Sequence, residues 1–205
     1  MKNVIITMPM RKDVYQFRYP VQGNSSIEYD GEVIFGVNGV LARILEPNEK
    51  VKLIFIVTCE HGNQSFENMK LFRQEFDRVT GEKNSDVIEE VIEINKTPTK
   101  GEFEKLTDRL IKAIDDDAEI IGDITFGTKP FPFVLLCAIN FTEMFKGASL
   151  LYLMYSSVDW PAGKPPCNPM IYDITPAYYL QKVIGAMENR NPETARKMLT
   201  DFFAL

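Results

Sequence analysis

The sequence predicts an α/β protein, a Rossmann-like and mostly parallel sheet with helices on both faces and two helices at its carboxyl-terminal end. Three observations predict it. Short apolar runs rich in β-branched residues (KNVIITM, KVKLIFIVT, AEIIGDIT, ASLLYLMYSSV) alternate with longer stretches of helical periodicity. Those runs are continuous, as in strands buried on both faces, where a half-exposed strand would alternate. The 205 residues, 45% apolar and 25% charged, also suffice for a real core.

Each element has its own signal. KNVIITM (2–8) reads as a short buried strand. Residues 9–35 mix Pro, Gly, Asn, Ser and aromatics, and a loop of this length is more often functional than idle. VNGVLARIL (37–45) has helical spacing and is stopped by Pro47. KVKLIFIVT (50–58) is a strand. Asn63 or Ser65 is in place to cap the helix FENMKLFRQEFDRVTG, with Gly81 at its carboxyl end. DVIEEVIEI (86–94) is a strand. Thr97 or Thr99 opens GEFEKLTDRLIKAI, whose Phe103, Leu106, Leu110 and Ile114 share one face. After AEIIGDIT comes an almost wholly apolar helix, PFPFVLLCAINFTEMF, then the strand ASLLYLMYSSV (148–158), the loop WPAGKPPCNP and a short last strand, MIYDI. Two helices close the chain, the second with Asn191 as cap and Pro192 in its first position. Residues 1–174 thus form the sheet domain, and 175–205 are helices that pack on it.

Charge and rare residues exclude several classes of function. A net charge of −6 argues against sequence-independent binding of duplex nucleic acid, which needs a basic face. It leaves room for a small anion held by a few local groups. The single histidine, His61, makes Ser–His–Asp and Cys–His sites poor candidates, and no cluster of metal ligands is visible. Neither a metal nor a cofactor is expected. Cys59, Cys137 and Cys167 are odd in number and widely spaced, two of them in apolar surroundings, which reads as reduced thiols in a cytoplasmic protein. No signal peptide and no membrane-spanning run is evident. GxxxxGK[ST] is absent, as is GxGxxG after the first strand, so nucleotide hydrolases of the P-loop type and dinucleotide dehydrogenases are disfavoured.

One stretch stands out, GDITFGTKPFPF (122–133). A buried strand exits into Thr125, Phe126, Gly127, Thr128 and Lys129, then two prolines open an apolar helix. In parallel sheets ligands gather at the carboxyl ends of strands. Gly127 permits a positive φ or close backbone approach, and a helix N-terminus with its unpaired N–H groups suits phosphate. Lys129 adds a charge, and Thr125 and Thr128 add hydroxyl donors. The plainer reading is an ordinary strand–helix loop with a solvated lysine; both stand on the residues alone.

The D-x-T-x-G-T-K element, followed by Pro and a long apolar helix, resembles the signature of CARF domains, the Rossmann-like sensors of type III CRISPR systems. FGVNGVLARIL before KVKLIFIVT is similar to the segment between the first two strands in one branch of that family. The likeness spans roughly residues 1–190 as a pattern, and its specificity lies in Asp123 to Lys129. Phe126 stands where members often carry His, Gly or Ser. The resemblance implies a homodimer that binds a cyclic oligoadenylate, most often the tetra-adenylate, on its two-fold axis, with residues 175–205 packing on the sheet domain or mediating dimerisation. It further implies either metal-independent cleavage of the ring, with Lys129 and Thr128 stabilising charge on the attacked phosphate, or binding without chemistry to regulate a partner. A Rossmann-like enzyme acting on another nucleotide or phosphorylated metabolite is the reading outside the family.

Other residues join the candidate ligand set. Met10, Arg11 and Lys12 leave the first strand at the same sheet edge, with Tyr15 and Phe17 able to stack on a base. Asn38 is placed either to bond a ligand or to cap its helix. His61 follows the second strand, and Trp160 the fifth, where it can close over a nucleobase or pin its loop. The acidic run DDDAE (115–119) lies at the opposite end of its strand and reads as a solvated turn. Tyr172, Tyr178 and Tyr179 read as packing residues of the last sheet helix.

Overall fold

A computed structural model describes residues 1–59, 64–95 and 97–203. Its centre is β1 (Lys2–Thr7), whose six residues are all buried. Two parallel neighbours flank it, β3 (Lys50–Thr58) and β5 (Glu119–Asp123), and β4 (Asp86–Ile94) pairs with β3 at the outer edge. On the other side β6 (Ser149–Asp159) pairs parallel with β5, β7 (Cys167–Asp173) runs antiparallel to β6, and the two-residue β2 (Val21–Gln22) ends the sheet. The order β2-β7-β6-β5-β1-β3-β4 is that of an open α/β sheet with a change of winding direction between β1 and β5.

Side-chain alternation along these strands builds two cores. Val4 and Ile6 of β1 with Leu53, Phe55 and Val57 of β3 meet α1 (Gly36–Ile44) and α2 (Ser65–Thr80) through Leu41, Phe72 and Phe76. Ile5, Ile54 and Ile56 face the other way. They pack on α3 (Lys100–Ala113) and α4 (Phe131–Phe145) through Leu106, Leu110, Leu135 and Ile139. α5 (Thr175–Gly185) adds Tyr178 to that second core, and α6 (Pro192–Phe203) follows with no buried side chain. The edge strand β4 carries Glu89, Glu90 and Glu93 and is mostly half-exposed, a charged edge that resists pairing with another chain.

The caps follow the local chemistry in part. Thr99 forms a complete capping box with Glu102, and Asn191 Oδ1 accepts from Thr194 N at 2.9 Å. Gly81, expected to end α2, keeps right-handed helical geometry. The chain continues into a 3-10 turn, Gly81–Lys83, and Asn84 takes the left-handed position with φ 50°. Ser65 lies inside α2 after an N-cap residue, Gln64, that offers no side-chain bond; Asn63 falls outside the described residues. The last strand begins at Cys167, earlier than MIYDI suggests, because pairing with Asp159 draws Cys167 into the sheet. The cysteines are free, and all three are exposed, so the expectation of apolar surroundings for two of them fails; Cys137 sits on the outer face of α4.

Asn38 corrects another expectation. It is neither ligand-facing nor a cap: it sits in α1 with no exposure, and its Nδ2 donates to Phe72 O (3.2 Å) and Glu75 Oε2 (3.1 Å). Glu75 also accepts from Ile34 N (2.7 Å) and Phe35 N (3.0 Å), so one buried carboxylate of α2 holds the entry to α1. Removing it takes an acceptor from the buried Phe35 N and Asn38 Nδ2 and from the half-buried Ile34 N. Glu75→Ala is therefore expected to cost about 3 kcal/mol or more. Urea unfolding should show this as a lower midpoint at unchanged slope; a loss under about 1 kcal/mol would mean water replaces the carboxylate.

Candidate functional site

The change of winding direction opens a cavity of about 560 Å³ at the carboxyl ends of β1 and β5. From β1 come Thr7 and the following Met8–Arg11; from β5 come Asp123 and Thr125–Thr128. β6 adds Tyr155–Val158, and the entry to α1 adds Ile34–Gly36. Tyr15, Phe17, Tyr19 and Trp160 close the aromatic side. The size is within the usual range for a small-molecule pocket.

The floor is polar and tightly wired. Asp123 is 3% exposed, and its Oδ1 accepts from Thr125 N at 2.8 Å and from the Thr125 hydroxyl. The same hydroxyl accepts from Ser156 N at 2.8 Å. Thr125 thus ties the exit of β5 to β6, and its hydroxyl is committed inside the protein rather than offered to a ligand as the sequence suggested. Thr7 is different: its buried Oγ1 has no hydrogen-bond partner among the described residues. It is an unmet polar atom in the floor beneath the cavity.

Gly127 has φ +108°, a conformation that side-chain-bearing residues rarely adopt, and an added Cβ would lie 3.2 Å from Thr7 Cγ2 and 3.3 Å from the Phe131 ring. The glycine therefore lets the loop close onto the end of β1. The consequence is electrostatic. Among the described residues, the N–H groups of Phe126, Gly127 and Thr128 have no acceptor in the protein. The first turn of α4 differs from what the sequence suggests. Phe131 N bonds Thr128 O (2.9 Å), Pro132 has no N–H, and Phe133 N bonds Pro130 O (3.1 Å). The free donors lie in the loop, one step before the helix.

Next to this loop the lining is cationic and aromatic. The Arg11 guanidinium lies 4.3 Å from the Trp160 ring centroid and 5.6 Å from that of Phe126. Tyr15 meets Trp160 edge-on at 5.6 Å. Among the described residues no carboxylate forms an ion pair with Arg11. Tyr19, pushed up to about 12 by burial, stays a neutral phenol whose hydroxyl donates to Ile34 O at 3.4 Å.

The structure thus brings together Met10, Arg11, Thr125, Phe126, Gly127, Thr128 and Trp160 of the sequence-predicted set. Lys12 and Lys129 are exposed and lie outside the cavity lining, and His61 lies outside the described residues. Tyr178 packs in the core, while Tyr172 and Tyr179 are partly exposed. The acidic run sits at the far end of β5, where Lys52 pairs with Asp115 and Lys146 with Asp116. Among the described residues no group of three or more His, Cys, Asp or Glu is placed to hold a metal ion. Sequence reasoning did not name Thr7, Gly36 or Ser156; the fold places Thr7 against Gly127, and Ser156 against Thr125 and Gly36. No family model and no curated protein matches the chain.

Burial raises the Asp123 carboxyl to about 6 from its ordinary 3.8, and the two Thr125 bonds oppose this only in part. The folded state then holds this proton more tightly than the unfolded chain. Its stabilising contribution is fully present below about pH 3.8 and is lost as pH rises through about 6. Asp123→Asn keeps the shape and an acceptor oxygen but cannot ionise. It is expected to flatten the pH dependence of stability across that window by on the order of 3 kcal/mol, read by urea unfolding at a series of pH values. An unchanged slope would assign Asp123 an ordinary carboxyl.

Proposed function

We propose that the protein is a receptor for a cyclic oligoadenylate, bound at the cavity between β1 and β5, in signalling of the type III CRISPR kind. The observation that carries the reading is a pairing within the cavity lining. The loop after β5 has free N–H donors at Phe126–Thr128. Beside it the Arg11 guanidinium lies against the rings of Phe126, in that same loop, and Trp160. A phosphodiester with an adenine attached needs both: anion donors without side-chain entropy, and a flat apolar face for the base. The resemblance of Asp123–Lys129 to the CARF signature narrows the anion to this ligand class.

A ring of several nucleotides exceeds what one small cavity holds, and a second copy of the chain completes the site in this reading. α4 supports that arrangement. Phe133, Phe141, Met144 and Phe145 are exposed along its outer face, Phe133 to 73%, only a few residues beyond the donor loop. Such a row of large apolar side chains marks an interaction surface more often than free solvent exposure. Lys129, exposed and outside its own cavity lining, is then available to the composite site.

Binding without chemistry is the leading form of this reading, because within one copy only Thr128 of the two residues expected to stabilise charge lines the cavity, while Lys129 lies outside it. Slow cleavage by the ligand's own 2′-hydroxyl is the variant that the same assay detects.

Titration with cyclic tetra-adenylate in EDTA, followed by Trp160 fluorescence and by chromatography of the nucleotide, tests the proposal. Arg11→Ala and Gly127→Ala are each expected to weaken binding by about tenfold or more, the scale of one charge-assisted hydrogen bond. Linear product would mean a ring nuclease; binding without product would mean a receptor. Failure to bind this ring and rings of other sizes would overturn the assignment. In sedimentation, the wild-type chain is expected to run as a dimer and Phe133→Glu as a monomer; a monomeric wild type would remove the composite site.

A further inference from the structure

The wall that carries Arg11 is not held by any strand. After Met8 N, which bonds Ile56 O at 2.9 Å, the chain leaves the sheet. From there its carbonyls turn, one after another, onto the first turn of α2. Met8 O accepts from Ser65 Oγ (3.2 Å), Pro9 O from Asn68 Nδ2 (2.8 Å), Met10 O from Gln64 N (3.4 Å) and Arg11 O again from Asn68 Nδ2 (2.9 Å). Asn68 is 4% exposed. Beyond Arg11, among the described residues, the next backbone bond on the chain is Phe17 N to Val33 O.

We propose that Asn68 is a positioning residue for ligand binding: it fixes the Arg11 backbone so that the guanidinium stays at the cavity wall against Trp160 and Phe126. The inference rests on the receptor reading for its consequence and on the bonds above for its geometry. Among the described residues no carboxylate forms an ion pair with Arg11, and a cation–π contact at a partly exposed site is worth little by itself. The backbone anchor therefore supplies the placement. One amide nitrogen uses both of its hydrogens, one on each side of Met10, and restrains the backbone of the loop. A pre-ordered backbone spares the entropy of fixing residues 9–11 when an anion binds, and leaves only the Arg11 side chain to be immobilised. Ser65 and Glu75 hold other cavity segments from the same buried stripe of α2, but Asn68 alone touches the residue that bears the charge.

A double-mutant cycle separates positioning from mere stability. Cyclic tetra-adenylate affinity is measured for wild type, Asn68→Ala, Arg11→Ala and the double variant. Alongside it, acrylamide quenching of Trp160, the chain's single tryptophan, is measured without ligand. Asn68→Ala is expected to weaken binding about as much as Arg11→Ala, by about tenfold, and to add nothing in the Arg11→Ala background. Quenching should rise equally in the two single variants and no further in the double. Additive losses, or a change in melting temperature with unchanged affinity and quenching, would overturn the proposal. If wild type binds no cyclic oligoadenylate, the receptor reading fails by that fact, and the quenching cycle alone decides whether Asn68 places Arg11. If Asn68→Ala does not fold, Asn68→Ser, whose single shorter donor reaches at most one carbonyl, takes its place with the same expectations.

Discussion

The pairing of β1 with β5 on one side and β3 on the other is the constraint on which the rest of the molecule depends. β1 is buried on both faces and bonded along both edges, so nothing but its two ends is available for function. The chain then winds outward in opposite directions from the β1–β5 seam. Connections leaving those two strands diverge, and a cleft at their carboxyl ends is the geometric result. Gly127 lets the loop after β5 fold back over that cleft. A side chain there would press on Thr7 and Phe131, and the missing Cβ avoids this; in the loop so placed, consecutive N–H groups have no acceptor among the described residues.

The second organising feature is the buried stripe of α2. A core helix usually presents aliphatic residues inward, yet here Ser65, Asn68 and Glu75 surround Phe72 on the buried face. Burying amides and a carboxylate costs solvation unless each is bonded. Each is, and the partners are backbone groups of the two cavity segments that lack strand pairing. The helix therefore replaces the missing ladder bonds of residues 8–11 and 34–36. Polar burial of this sort gives definition to irregular backbone more than it adds net stability.

Charge is arranged on two scales. The chain as a whole is acidic, with carboxylates ranged along the β4 edge and the amino end of β5. At the cavity the balance reverses: Asp123 is shielded by burial and by Thr125, and the groups left open are donors and one guanidinium. An overall negative field disfavours long polyanions while a local set of donors accepts a compact one.

Strand and helix order, the two-sided burial of the sheet and the place of GDITFGTK at the carboxyl end of a buried strand were legible in the sequence, because continuous apolar runs, helical spacing and a Thr-Gly-Thr turn are local signals. So was the capping box at Thr99, which needs only a spacing of three residues. The roles of Asn38, Thr125 and Asn68 were not. Each is decided by a partner distant in the chain: Glu75 for Asn38, Ser156 for Thr125, and Pro9 and Arg11 for Asn68. Polar residues of these types look alike in sequence whether they face a ligand, cap a helix or satisfy a buried carbonyl. The end of α2 shows the same limit at short range, where the left-handed turn falls on Asn84 and not on the glycine that precedes it. The sequence by itself determined which segments are strands and helices, since those follow from periodicity and propensity. Tertiary structure alone decided which polar groups remain open at the seam, since a donor is free only when folding brings no acceptor within its reach.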